Sequence, residues 1–324
     1  MPPLLVIVGP TASGKSRLAM ELATGFGSEI IGADSRQIYR GLDIGTSKPD
    51  RKVLQAVPHH LISLVSPDET FSAGEYKRRV ESLFRQGKGR KPEAPWIMAG
   101  GTGLYIKSVL HGLWEGPSAD YELRKKLLKK EAESYGWLYR ELTRLDPASS
   151  VRIHPNDRSK IVRALEVCYL TGLPLSRLHT RQPFRKPEGE CIQIGLLPER
   201  ETLYRQIDQR VDEMIRIGWI DEVEGLLKAG YDESLPSMRS LGYPVLASHI
   251  RGSLSREEAV LRIKKETRHY AKRQMTWFRK DPGIRWLAAD RMAEVAATIR
   301  ERYLNGDRSF FESGHLILSS GREV

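Results

Sequence analysis

The chain has 324 residues, a length that allows a main domain and a sizeable second one. Its residues are 40% hydrophobic and 29% charged, and no apolar run reaches the ~18 residues that a membrane span needs. A membrane protein is therefore excluded. Cytoplasm is the expected location, because the apolar run at residues 4–8 lacks the basic segment that opens a signal peptide. The formal net charge of +11 predicts an anionic partner, and nothing in the sequence implies a protein partner.

Short apolar runs alternate with helical patterns, which predicts an α/β fold with a P-loop NTPase-like parallel sheet flanked by helices. The predicted strands are residues 4–8, 29–32, 60–65, 96–99, 191–196 and, as a final edge strand, 284–287. Residues 120–190 are helical and basic and end in a polar linker. We therefore expect a core made of residues 1–119 and 191–324, in which helices follow the sheet, and an inserted small all-helical domain at 120–190.

A phosphate-binding loop is predicted directly after the first strand. The pattern G-x-x-x-x-G-K-[ST] is matched by Gly9, Pro10, Thr11, Ala12, Ser13, Gly14, Lys15 and Ser16. Such a loop turns backbone N–H groups toward a phosphate, its lysine reaches the oxygens, and its last hydroxyl can bind Mg²⁺. The pattern alone leaves ATP, GTP and a prenyl diphosphate open as ligands.

Two further polar turns follow predicted strands. Asp34 comes after the second strand, and the glycine-rich turn at residues 100–103, which contains Thr102, comes after the fourth. The carboxyl ends of parallel strands meet at one edge of a sheet, where ligands bind. A lone Asp after a strand is commonly a turn former, but together these turns predict a site beside the phosphate loop.

A long basic helix is predicted near the end of the chain. Ser255 and Glu258 have capping-box spacing, and residues 262–280 contain eight Lys or Arg against one acid. This concentration of charge favours a nucleic-acid surface over scattered solvated lysines. Trp277 and Phe278 interrupt the charges and are predicted to pack inward, as most aromatic side chains on helices do.

Two other pairs of residues invite chemistry that the sequence does not support. Cys168 and Cys191 lie in apolar surroundings without metal-ligand spacing, so we expect buried, reduced thiols. His59 and His60 are adjacent, and neighbours on a strand point to opposite faces, so a structural role is favoured over a metal site.

Together the motifs resemble the tRNA dimethylallyltransferase family, also called tRNA isopentenyltransferase. The resemblance extends from residue 1 to about residue 290 and lies in residues 9–16, 33–39, 44–49, 100–105, 157–167, 239–243 and 267–279. It implies transfer of a dimethylallyl group from dimethylallyl diphosphate to N6 of the adenosine 3′ of the anticodon in tRNA, with release of diphosphate and with Mg²⁺ as cofactor. Compact bacterial members are the nearest likeness, since no zinc-finger pair of cysteines or histidines follows Arg279.

The resemblance also implies roles for individual residues. Asp34 is the expected base for the N6 proton, since an aryl amine is a poor nucleophile. Thr11 and Arg239 are expected to contact the diphosphate together with residues 9–16, and Ser16 to bind Mg²⁺. Gln37 is expected to contact the adenine edge. The residues expected to bind tRNA are Asp34, Ser35, Arg36, Gln37, Thr102, Arg158, Lys160, Arg163, Arg268, Lys272, Arg273 and Arg279.

Three other functions stay open from the residues alone. A prenyltransferase for free adenine nucleotides would share the phosphate loop and Asp34, although the basic helix argues against it. A kinase would use the loop for ATP. A nucleotide-gated RNA-binding module would use both surfaces without turnover.

Overall fold

Within the residues that the structure describes, six strands form one sheet in which all neighbours are parallel. The computed structural model describes residues 2–87, 94–113, 116–181 and 189–307. The strands are β1 (Leu4–Val8), β2 (Ile30–Gly32), β3 (His59–His60), β4 (Trp96–Ala99), β5 (Cys191–Leu197) and β6 (Ile284–Ala288). Their order is β3-β2-β4-β1-β5-β6. The predicted α/β fold with a parallel sheet is confirmed.

Helices connect the strands and continue beyond the sheet. They are α1 (Lys15–Phe26), α2 (Arg51–Ala56), α3 (Ala73–Gln86), α4 (Gly103–Leu110), α5 (Tyr121–Glu133), α6 (Trp137–Leu145), α7 (Pro147–Arg152), α8 (Arg158–Thr171), α9 (Leu175–Arg181), α10 (Arg200–Arg216), α11 (Trp219–Lys228), α12 (Tyr243–Ile250), α13 (Arg256–Phe278) and α14 (Met292–Leu304). A 3₁₀ turn, Ala289–Arg291, precedes α14. Among the described helices, none has both the length and the apolar character needed to cross a membrane.

Strand β1 is buried on both faces because its side chains alternate between two helical layers. Leu5 and Ile7 pack with residues of α1 and α14. Leu4, Val6 and Val8 pack with residues of α3 and α4 on the opposite face. The strand therefore leaves the core at its carboxyl end, and the loop that follows it must lie at that edge of the sheet.

The third strand is shorter than predicted. Residues 60–65 were expected to form it, but only His59–His60 pairs with β2 in the described sheet. Leu61 and Ser63 have φ of +62° and +51°, a left-handed backbone that cannot continue a strand. Leu61 and Leu64 still pack against the core, so the apolar run reflects burial rather than strand pairing.

His59, His60 and the two cysteines lie in surroundings that suit a structural role. The Nδ1 atom of His59 lies 2.8 Å from the Val57 carbonyl oxygen, and His60 Nε2 lies 2.6 Å from Glu29 Oε2. Both thiols are free, with Cys168 buried and Cys191 half-buried. Burial raises the pKa of Cys191 to about 12, so this thiol stays protonated at neutral pH.

The chain divides into two compact units, Met1–Leu110 with Pro187–Val324 and His111–Lys186. The second unit has its own core, in which α5, α6 and α8 bring together Leu127, Leu142 and Leu165. The assignment of residues 120–190 to an inserted domain that contacts tRNA stays a prediction.

A buried carboxylate organises this second unit. Glu166 of α8 is fully buried and accepts hydrogen bonds from the Asp120 N–H at 2.8 Å and from Arg124 Nε and Nη2 at 2.7 and 2.9 Å. It also accepts one from the guanidinium of Arg163. One carboxylate therefore balances two cations and fixes the start of α5 against α8.

Replacing this carboxylate should destabilise the unit. For Glu166→Gln we expect a loss of about 2–3 kcal/mol in the free energy of unfolding, because two guanidinium groups lose their counter-charge. This loss is at the low end for a buried pair, since both arginine side chains are about one-third exposed and partly solvated. Denaturant unfolding followed by circular dichroism measures the effect. The control is Glu213→Gln, which removes an exposed pair with Arg216 and should leave stability unchanged within error. Equal losses in both variants would contradict the account.

Candidate active site

The phosphate loop joins the end of β1 to the start of α1. Gly14 caps α1 with φ of +90°, a left-handed conformation that favours glycine. The ammonium of Lys15 donates to the Pro10 carbonyl oxygen at 2.6 Å, so the lysine folds back over its own loop. The hydroxyl of Ser13 is buried and has no hydrogen-bond partner among the described residues. Ser16 is exposed in the first turn of α1.

The electrostatic surroundings of Lys15 are unusual for a lysine. Burial, and to a smaller extent the positive charge of Arg210, lower its pKa to about 7, although the Asp34 carboxylate opposes both effects. Burial also lowers the pKa of Arg210, again opposed by Asp34. The guanidinium nevertheless stays charged at neutral pH, because its ordinary pKa lies above 12. Two basic groups thus share this region with one carboxylate.

Asp34 follows β2 and is held by its own turn. Its Oδ1 accepts the Arg36 N–H at 2.8 Å and the Gln37 N–H at 3.4 Å. The next residue, Ser35, donates its N–H to Thr102 Oγ1 at 2.9 Å. The turns after β2 and β4 are therefore joined by a direct hydrogen bond, as their position at one sheet edge predicts.

A cavity of about 500 Å³ opens where these loops meet. The predicted site residues in its wall are Thr11, Asp34, Ser35, Arg36, Thr102, Arg239 and Arg273. Helices α10, α11 and α13 and the segment before α12 contribute the other side, with an apolar part formed by Ile207, Val211, Met214, Trp219 and Leu241. The wall thus combines two carboxylates, Asp34 and Glu266, with cations and an apolar surface.

Arg210 is a cavity residue that the sequence analysis missed. It lies on α10, and its Nε donates to Ser47 Oγ at 2.7 Å. A signal was present, since Ile207, Val211 and Met214 lie beside it at helical spacing, and an arginine on the apolar side of an amphipathic helix needs an explanation. Its proximity to the phosphate loop depends on the tertiary fold.

Glu222 of α11 holds the loop that supports this arginine. Its carboxylate accepts backbone N–H groups from Asp43 at 2.8 Å, Ile44 at 2.6 Å and Gly45 at 3.2 Å. The hydroxyl of Tyr243 donates to it at 2.7 Å. Burial raises the pKa of Tyr243, and the Glu222 charge adds to the rise, so the tyrosine stays a donor. No role was predicted for Glu222 from the sequence.

The predicted adenine reader Gln37 points into the same loop. Its Nε2 donates to the carbonyl oxygens of Thr46 at 2.9 Å and Ser47 at 3.1 Å. Both amide hydrogens are thus engaged, and Gln37 is not part of the cavity wall. Its contact with adenine stays a prediction.

Two of the three predicted arginines in the cavity wall have part of their hydrogen-bond donors engaged. Arg36 Nη1 donates to the Pro236 carbonyl oxygen at 2.8 Å. Arg239 is exposed, and its Nε and Nη2 donate to the carbonyl oxygens of Glu233 at 3.0 Å and Ser234 at 3.2 Å. The contact between Arg239 and diphosphate stays a prediction.

The basic helix α13 has the predicted capping box at Ser255 and Glu258. Phe278 is buried, as predicted, but Trp277 is 47% exposed, so the prediction of inward packing is wrong for Trp277. Arg268 pairs with Asp208 at 3.3 Å. The other predicted tRNA-binding cations of this region are exposed: Lys272, Arg273 and Arg279.

The predicted tRNA-binding residues of the second unit lie at the start of α8. Arg158 and Lys160 are exposed, and Lys160 pairs with Asp157. Arg163 is half-buried, since Glu166 holds its guanidinium and Nη2 donates to the Pro117 carbonyl oxygen at 2.8 Å. A tRNA-binding role for these three residues stays a prediction.

Comparison with known proteins identifies the family. A family model described as IPP transferase matches residues 37–281. A protein named tRNA dimethylallyltransferase 2, from Geotalea uraniireducens (strain Rf4), is 47% identical over 290 residues, which cover 88% of this chain and 91% of that protein. A tRNA dimethylallyltransferase from Geobacter sulfurreducens is 43% identical over 304 residues, covering 93% and 96%.

A solved structure agrees with these sequence matches. The full-length tRNA isopentenylpyrophosphate transferase from Bacillus halodurans superimposes with a TM-score of 0.67 at 33% identity, covering 97% of this chain and 100% of that one. The shared fold and the extent of the sequence matches lead to one conclusion. This chain belongs to the IPP transferase family.

Proposed function

We propose that this protein transfers a dimethylallyl group from dimethylallyl diphosphate to N6 of the adenosine 3′ of the anticodon in tRNA, releasing diphosphate. The observation that carries the proposal is a single cavity whose wall includes Thr11 of the phosphate loop, Asp34, Arg210 and an apolar surface. The reaction needs a binding place for the leaving group, a base and a pocket for an alkyl chain, and these features provide all three in one cavity. Relatives named tRNA dimethylallyltransferase support the same reaction.

The diphosphate is expected at the phosphate loop. Breaking the allylic C–O bond places negative charge on the leaving diphosphate, and fixed cations stabilise that charge. Lys15 and Arg210 are the two basic groups. Their positive charges repel each other until an anion binds beside them. The buried hydroxyl of Ser13 is a further donor for a phosphate oxygen. An anionic ligand would therefore offset the two positive charges and give the Ser13 hydroxyl an acceptor.

Asp34 is the proposed general base. Its Oδ1 is fixed by two backbone N–H groups, and no partner of Oδ2 is found in the described part of the chain. Oδ2 is thus the atom proposed to accept the proton that N6 loses as the C–N bond forms. Ser35 and Thr102 hold the turn in place.

The apolar part of the wall suits a branched five-carbon chain. Val211, Met214 and Leu241 contribute aliphatic surface, and Trp219 is almost fully buried beside them. Excluding water here protects an allylic group that loses its leaving group from capture by water.

Mg²⁺ fits this site as a partner of the substrate. The described residues contain no group of three or more His, Cys, Asp or Glu side chains that could hold a metal ion. Mg²⁺ commonly binds through few protein oxygens, with waters and substrate phosphates as its other ligands, so the exposed hydroxyl of Ser16 would be its ligand on the protein side. When bound, Mg²⁺ would neutralise charge on the diphosphate.

The tRNA is expected to bind beside α13. Its exposed cations can contact backbone phosphates, and release of counter-ions then contributes affinity. The adenine must leave the loop stack to enter the cavity, which costs least in a single-stranded region. We propose the cytoplasm as the place of this reaction.

A transfer assay tests the function directly. The protein is incubated with unmodified tRNA, or in parallel with free AMP, and with either labelled dimethylallyl diphosphate or labelled ATP. Nucleosides from the product are identified by mass spectrometry. We expect label from dimethylallyl diphosphate, recovered as N6-dimethylallyl adenosine 3′ of the anticodon. Label from ATP instead, or prenylation of free AMP as efficient as that of tRNA, would contradict the proposal.

The same assay tests the role of Asp34 as the base. Asp34→Asn preserves shape and an acceptor for the Arg36 N–H but removes the negative charge, so we expect kcat to fall about 10²–10⁴-fold. Filter binding should give tRNA affinity within about threefold of the wild type, because a base acts mainly in the transition state. A variant with wild-type kcat would refute this role.

Proton uptake when dimethylallyl diphosphate binds should report the protonation of Lys15. With a folded pKa of about 7, the lysine is mostly neutral at pH 8, and bound diphosphate should raise its pKa. Binding then takes up about one proton at pH 8, and affinity falls as pH rises above 7. Calorimetry with dimethylallyl diphosphate and no tRNA, in buffers of different ionisation enthalpy, measures the uptake. Lys15→Arg stays protonated and should show none. Equal uptake by both proteins would exclude Lys15 as the source.

A further inference from the structure

One buried amide connects the basic helix to both halves of the site. Gln274 lies on α13 and is 6% exposed. Its Oε1 accepts the N–H of Thr11 at 2.8 Å, and its Nε2 donates to the Gly101 carbonyl oxygen at 3.1 Å. Both ends of the side chain are thus bonded to backbone groups of loops that lie far away in the sequence.

Each of these loops leads to a residue of the proposed reaction. Thr11 belongs to the phosphate loop and lines the cavity. Gly101 precedes Thr102, whose hydroxyl accepts the N–H of Ser35 beside Asp34. Gln274 therefore spans the distance between the diphosphate side and the base side.

The side chain of Gln274 packs tightly against Gly101. A Cβ on Gly101 would lie 2.1 Å from Gln274 Nε2, and the three nearest heavy atoms all belong to Gln274. One turn along α13, Trp277 approaches Gly103 in the same way, with Nε1 2.0 Å from a Cβ there. Two side chains of α13 thus lie against one turn, and glycine is required for both contacts.

We infer that Gln274 is a positioning residue for the transfer reaction. It fixes the separation of the phosphate loop and the Asp34 turn and links that separation to α13, the helix proposed to bind tRNA. Glutamine suits the position because one end accepts and the other donates. Glutamate could not donate to the Gly101 carbonyl oxygen, and an apolar side chain would leave two buried backbone groups unpaired. The inference rests on the proposed transfer reaction.

A double-mutant cycle tests the link. Gln274→Ala removes the connection, and Gly101→Ala pushes the amide away, so each should lower kcat about tenfold or more, since small misplacements of reacting groups are costly. Gly101→Ala should cost little more in the Gln274→Ala background, because no amide is left to displace. The two effects should therefore be strongly non-additive. Filter-binding affinity for tRNA should stay within about threefold of wild type.

Three further measurements separate positioning from folding. Gln274→Met keeps the volume while losing both hydrogen bonds and should lower kcat as Gln274→Ala does. Leu261→Ala truncates an exposed side chain of the same helix and should leave kcat unchanged. Thermal melting gives the folded fraction of each variant at the assay temperature.

The outcomes distinguish this inference from the proposed function. An inactive wild-type protein would overturn the function itself. With an active wild type, multiplicative losses in the cycle would overturn the positioning role. So would a fall in kcat no larger than the fall in folded protein, or a failure of both Gln274 variants to fold.

Discussion

Lys15 and Arg210 are two basic groups that repel each other when both are charged. Burial lowers the pKa of each, and the nearby Asp34 carboxylate partly offsets that lowering. Such an arrangement is unfavourable without an anion, and it becomes favourable when a diphosphate lies beside both cations. The fold supports this arrangement at some distance. Glu222 fixes the loop to which Arg210 is bonded through Ser47. The charge distribution of the site thus favours an anionic ligand.

Parallel strands explain how these groups come together. Strands β1, β2 and β4 end at one edge of the sheet, and the phosphate loop, the Asp34 turn and the Thr102 turn follow them. Helices α10 and α13 then cover this edge and contribute Arg210 and Gln274. A rigid sheet positions the first three loops, and helices from the other end of the chain complete the site.

Local sequence patterns predicted the parts of this site that short segments determine. The phosphate loop and the strands around it follow from spacing and apolar runs, because turn geometry and burial act over a few residues. The strand predicted at residues 60–65 ends at His60, since the left-handed backbone at Leu61 and Ser63 leaves no mark in apolar periodicity. Arg210 and Gln274 were not assigned roles because their partners lie more than 150 residues away. Trp277 was predicted to pack inward, yet it is half-exposed even though its ring lies against Gly103.

A crystal structure with dimethylallyl diphosphate and an anticodon stem-loop tests the central claim most directly. The decisive quantities are the distance from Asp34 Oδ2 to the adenine N6 and the distances from Lys15 Nζ and Arg210 to the diphosphate oxygens. The account predicts hydrogen-bond distances of about 3 Å for all of them in one complex. A diphosphate bound away from Arg210, or an adenine whose N6 faces away from Asp34, would contradict it.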